Sequence, residues 1–131
     1  MTTTEATPTP VLDPLRLGTH EVWPPVVLAP MAGVTNIPFR GLCSSFGPGL
    51  VYVSEMVMAS ALVHGNERTR KMTAFSPDER FRSLQIYGSD PEFVGRAVRA
   101  LCEADAVDHI DMNLGCPAVK VTRKEIGRAH V

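Results

Sequence analysis

The sequence predicts an α/β fold of parallel strands joined by helical crossovers, and three observations predict it. Short apolar runs begin near Val26, Leu50, Phe81 and Val107. They recur every roughly 24 to 32 residues, the rhythm of a strand, a crossover helix and the next parallel strand. The segments between them carry helix caps and apolar residues three to four apart. The composition suits a globular chain with a core: of 131 residues, 44% are hydrophobic and 21% charged.

Taken in order, residues 1–14 are rich in Thr and Pro with little to bury and read as a disordered leader. "LRLGTHEVWPP" reads as a short hairpin turning near Gly18 and Thr19. "VVLAP" is the first strand. In its helix Asn36 is the cap, Pro38 lies in the first turn, Phe39, Leu42, Cys43 and Phe46 form the apolar face, and Gly47 ends it. "LVYVSEM" is the second strand, followed by a helix between Ala59 and Met72 that Gly65 and Asn66 interrupt. "FRSLQIYG" is the third strand. "SDPE" then reads as a capping box of Ser89 and Glu92, opening a helix with Phe93, Val94, Ala97, Val98, Leu101 and Cys102 on one face. "VDHIDMN" is the fourth strand.

Two architectures accommodate four such units: an open doubly wound sheet, or half of an eight-unit barrel that in full takes about 250 residues. The barrel gains from what is missing. The candidate dinucleotide fingerprint, Gly47-Pro48-Gly49, has Tyr52 where its third glycine belongs, and there is no phosphate-loop lysine motif.

A net charge of -1 provides no global field for polyanions, so a nucleic-acid partner needs a local basic patch. Cys43, Cys102 and Cys116 are an odd, widely spaced set, which disfavours a disulfide framework and a zinc site; no metal is expected. Cys43 and Cys102 fall on apolar helix faces and read as packing residues. The N-terminus lacks a basic and then apolar leader, and no run approaches the ~18 apolar residues of a membrane span. The expectation is a cytoplasmic protein.

Chemistry in either architecture collects at the C-terminal ends of the strands. There the chain places Pro30, Met31, Ala32 and Gly33, then Glu55, then Gln85 within the third strand, then Asn113, Gly115, Cys116 and Pro117. Each has an ordinary alternative. A Pro-Met-Ala-Gly run alone is a turn, a strand glutamine satisfies neighbouring backbone, and Glu55 pairs with a cation. Cys116 is different, because a Gly-Cys-Pro loop offers a thiol little packing. Lys120, Arg123, Lys124 and Arg128 form a basic patch beside it. The four histidines share no motif.

Together "LAPMAGVTNIPFR", "VSEM", "LQIYGSDP" and "HIDMNLGCPAVKVTRK" resemble the N-terminal half of bacterial tRNA-dihydrouridine synthases, most closely their B-type branch. The resemblance runs from about Arg16 to Lys124. It implies that residues 15–124 are part of an FMN-binding (β/α)8 barrel that reduces the C5–C6 double bond of tRNA uridine with NADPH as reductant. It further implies that Pro30, Met31, Ala32 and Gln85 contact FMN, Asn113 contacts substrate and Cys116 is the proton donor. Arg123 and Lys124 would then hold tRNA phosphates. After "VTRK" the chain departs from the family pattern, so residues 125–131 are expected to be a non-family tail. Ile126 to Val131 is also what one frame of a common sequencing adapter encodes. The family's strand-five lysine, later histidine and phosphate loops have no counterpart in these residues. Two other readings stand beside it: an FMN-barrel oxidoreductase of dihydroorotate or dihydropyrimidines, and an inactive half-barrel that self-associates through open edges.

Overall fold

The computed structural model describes residues 12–116. The leader over 1–11, Pro117, the basic residues Lys120, Arg123, Lys124 and Arg128, and the tail 125–131 lie outside the described residues.

The hairpin forms as expected. β1 (Leu15–Leu17) pairs antiparallel with β2 (His20–Val22) around Gly18 and Thr19, with Gly18 at φ 60, the left-handed region a two-residue turn demands. Val22 packs with Val51 and Val53, so the hairpin covers the starting ends of the parallel strands.

Five short parallel strands follow. β3 (Val27–Leu28) pairs with β4 (Val51–Tyr52), Val53 bridges to Ser83, and β5 (Val57–Met58) pairs with β6 (Ser83–Tyr87). β6 pairs in turn with β7 (His109–Met112), in the register Gln85↔Asp111. Residues 51–58 therefore lean on β3 with their first half and on β6 with their second. The expected single second strand is two, because around Ser54 the pairing is carried partly by a side chain: Ser54 N–H donates to Ser83 O at 2.9 Å and Ser54 Oγ accepts from Gln85 N–H. The four expected strands lie side by side in chain order. That order lacks the reversal of a doubly wound sheet and agrees with a partial barrel; no closed barrel forms among the described residues.

α1 (Ile37–Phe46) starts as predicted, with Asn36 Oδ1 accepting from Phe39 N–H and Pro38 in the first turn. Its buried face does not match the prediction. Leu42 and Phe46 are 59% and 85% exposed, while Arg40 is the buried residue. Of the predicted stripe, Phe39 and Cys43 are only half-buried, while an ion pair with Glu79 holds Arg40 in the interior. The interrupted helix is two helices, α2 (Ala59–His64) and α3 (Glu67–Met72), separated by left-handed Gly65 and capped anew by Asn66. α4 (Pro91–Glu103) begins one residue later than predicted: Asp90, not Ser89, is the cap, its Oδ1 accepting from Glu92 N–H. Pro91 suits the first helical position, which moves the cap to the residue before it. Cys102 is also a correction. It is exposed, because it is rotated off the stripe that buries Ala97 and Leu101.

The main core is one face of β6 and β7. Leu84 and Ile86, both fully buried, pack with Val57 and Leu101 and are flanked by Val94, Val98 and Ile110. Because strand side chains alternate, Ser83, Gln85 and Tyr87, with His109 and Asp111, take the other face.

Candidate active site

The face of β6 and β7 turned away from the helices is a polar ladder. Ser83 Oγ and His109 Nδ1 are hydrogen-bonded at 2.9 Å. One step up, Gln85 Nε2 donates to Asp111 Oδ2 at 2.5 Å, and Gln85 Oε1 accepts from Asn113 Nδ2 at 3.3 Å. Asn113 Nδ2 also reaches Met56 Sδ at 3.5 Å, and Asn113 Oδ1 accepts from Gly115 N–H at 3.0 Å. Gln85 is nearly buried, so its amide had to find partners, and both of its ends have done so. One Gln85 N–H and a carbonyl lone pair remain for a ligand.

The rim above the ladder is built by loops. The turn after β3 is tied down through Thr35: its Oγ1 accepts from Met31 N–H and donates to Met31 O, while Val34 N–H and Thr35 N–H both donate to the same carbonyl. Gly33, at φ 76, donates its N–H to Glu55 Oε2 at 2.8 Å. Glu55 thus holds the neighbouring loop rather than a cation.

A cavity of about 500 Å³ opens at this rim, lined by Ala32, Gly33, Glu55, Met56, Met58 and Tyr87, with Arg68 also at its wall. That volume lies within the range of small-molecule sites, roughly 300 to 1,000 Å³. Cys116 is half-buried nearby. Tyr87 has its phenol pushed above its ordinary range, by burial first and by the neighbouring Cys116 second.

The structure therefore brings Ala32, Gln85, Asn113 and Cys116 to one end of the strands, through Met56 and Tyr87. Gln85 and Asn113 stand below the cavity wall rather than in it. Pro30 is half-buried and Met31 is 38% exposed, and neither lines the cavity. Arg123 and Lys124 lie outside the described residues. No group of three or more His, Cys, Asp or Glu able to hold a metal occurs among the described residues, nor does a helix long and apolar enough to cross a membrane.

Sequence reasoning did not find Asp111, Tyr87, Thr35 or Arg40. A signal for Asp111 and Tyr87 is present: "SLQIY" and "HIDMN" both alternate polar and apolar residues, so two paired strands turn polar groups to the same side. An arginine inside a helix carries no such mark.

Comparison with known proteins adds to this geometry. The family described as dihydrouridine synthase matches residues 27–130. The chain is 49% identical over 121 residues to a probable tRNA-dihydrouridine synthase of Mycobacterium tuberculosis, covering 88% of this chain and 31% of that protein. It is 44% identical over 115 residues to tRNA-dihydrouridine synthase B of Pseudomonas syringae and 40% identical over 115 residues to that of Escherichia coli. Those matches cover 88% of this chain and 34% and 35% of the relatives. The chain thus spans about a third of the length of these curated relatives.

Proposed function

Because this chain belongs to the dihydrouridine synthase family, we propose that it is the N-terminal part of a cytoplasmic flavoenzyme that reduces uridine in tRNA, with FMN as cofactor and NADPH as reductant. The observation that supports it best is that a free backbone donor at the cavity, a nearly buried amide below its wall and a thiol near Tyr87 lie toward one end of the parallel strands.

The donor set fits a flavin. The N–H of Ala32 has no hydrogen-bond partner among the described residues, and Ala32 lines the cavity. Met31 has both backbone groups taken by Thr35 and Val34, so its contribution is shape and Ala32 is the polar contact. Pro30 has no N–H and stiffens the entry to the turn. Gln85, braced by Asp111 and Asn113, offers its remaining N–H to a ring heteroatom.

Held by Ala32 and Gln85, a reduced flavin would supply the hydride for uracil C6. Cys116 is the proton donor at Sγ, delivering to C5 the proton that the reduction requires. Asn113, through Gly115, shapes the turn that carries Cys116. Arg123 and Lys124 hold phosphates flanking the target, which must leave its stack to enter the rim. The chain alone self-associates through its open strand edges, where Val26 and Val27 are 47% and 44% exposed.

The test is a chimera in which residues 27–124 replace the matching segment of the Escherichia coli relative. It is expected to purify with FMN and to form dihydrouridine in tRNA. A folded chimera without flavin overturns the cofactor assignment, and an unchanged product rate in its Cys116→Ala form overturns the acid role.

A further inference from the structure

Arg40 is the one charged residue among the buried described residues, at 1% exposure. A guanidinium survives there only if its donors are met. They are met from two segments outside its helix. Nε and Nη2 donate to Glu79 Oε1 and Oε2 at 2.5 and 3.0 Å, Nη2 also to Ala74 O at 3.3 Å, and Nη1 to Thr35 O at 2.7 Å. Phe75 lies against the guanidinium at 5.1 Å, and Ser76 N–H donates to Glu79 at 2.7 Å.

A buried ion pair adds little stability over apolar residues of the same volume, so stability alone does not account for it. What the planar fork supplies is direction. It grips the carbonyl of Thr35, itself fully buried, whose hydroxyl and N–H hold both backbone groups of Met31. The next residue is Ala32, with its free N–H at the cavity.

We propose that Arg40, oriented by Glu79, is a positioning residue: it locks Thr35 and through it the backbone of Met31, so that the N–H of Ala32 stays presented to the cavity. The proposal rests on the reading of Ala32 as a flavin contact and names what sets that contact.

Two variants test it, because Arg40→Met alone leaves Glu79 buried without its partner. The pair Arg40→Met/Glu79→Leu removes both charges; Thr35→Val keeps the ion pair and removes only the hydroxyl. Hydrogen exchange is read on the 131-residue chain. The amide of Met31 is expected to exchange about tenfold faster in both variants, and those of Val34 and Thr35 also in the pair, while β6 and α4 keep their protection. Unchanged exchange over 31–35 in either variant overturns the proposal. So does uniform loss of protection through β6 and α4 in both. FMN titration of the chimera carrying the same changes is expected to show about tenfold weaker binding through lost preorganisation. Faster exchange with unchanged FMN affinity retains the clamp and overturns the assignment of Ala32 as the contact it serves.

Discussion

The two faces of the β6–β7 pair are built from alternate residues of the same few turns of chain, yet they obey opposite rules. On the helix side Leu84 and Ile86 are fully buried among Val57, Leu101 and Ile110. On the other side Ser83, Gln85, His109, Asp111 and Asn113 are linked by hydrogen bonds two residues apart along each strand. Burying Ser83 and Gln85 that deeply brings little hydrophobic gain, since each polar group exchanges water for a protein partner at a net of about 1 kcal/mol. That face contributes little to stability and is ordered by its hydrogen bonds, which run toward the end of the strands where Asn113 and Gly115 lie. The helix-side face is what makes that organisation affordable.

The difference between the faces can be broken in four places. The largest effect is expected where the polar face delivers chemistry. In the chimera, Cys116→Ala should slow dihydrouridine formation by about 10²- to 10⁴-fold, the usual contribution of a positioned proton donor, with NADPH reduction of the flavin unchanged. Stopped-flow flavin bleaching and product mass on one sample separate the two steps.

Leu84→Ala should lower the unfolding free energy of the chain by about 3 kcal/mol, since Leu84 is fully buried and its truncation leaves a cavity. A urea midpoint shifted by less than a third of that would mean that the helix-side face is not the main core. Its neighbour Gln85 should behave the other way. Gln85→Leu is expected to change stability by no more than about 1 kcal/mol, yet to weaken FMN binding by the chimera about tenfold. Equal losses in both assays would erase the distinction between the faces.

The smallest effect lies at the entrance end of the same strands. Arg82 donates to Asp108 from its backbone N–H at 2.7 Å and from Nη2 at 2.8 Å, and also reaches Asp105. These hydrogen bonds hold the Asp108 carboxyl down at about 2, from an ordinary 3.8, and the same partners push Arg82 above its usual range. The folded pKa lies below the unfolded one, so the stabilisation is complete above 3.8 and is lost as pH falls toward 2. Asp108→Asn should flatten the acid limb of the stability curve over that window. An unaltered limb would assign acid sensitivity to other carboxylates.

Much of the fold was legible because it depends on local rules. Strand–helix spacing, the Gly18–Thr19 hairpin, the Asn36 cap and the break at Gly65 and Asn66 all follow from backbone preferences of single residues. The Ser89 capping box was misread by one position because Pro91 and Asp90 together outcompete it. For the site, the quoted motifs located the rim, and the structure brings Ala32, Gln85, Asn113 and Cys116 to that end of the strands. The partners those residues use were not legible: Asp111 for Gln85, Thr35 for Met31, Glu55 for Gly33.

By itself, then, the amino-acid sequence determined the order and type of the elements and the small set of residues at their C-terminal ends, since period, caps and turn residues act within a few positions of the chain. Only the tertiary structure decided which face of α1 is buried. Hydrophobic spacing pointed to Leu42 and Phe46, but burial depends on what packs opposite. Here the opposite side carries Glu79, 39 residues away, which makes burial of Arg40 favourable, while Phe46 stays 85% exposed. A long-range ion pair of that kind leaves no periodic trace, because its two charges meet through folding and not through spacing.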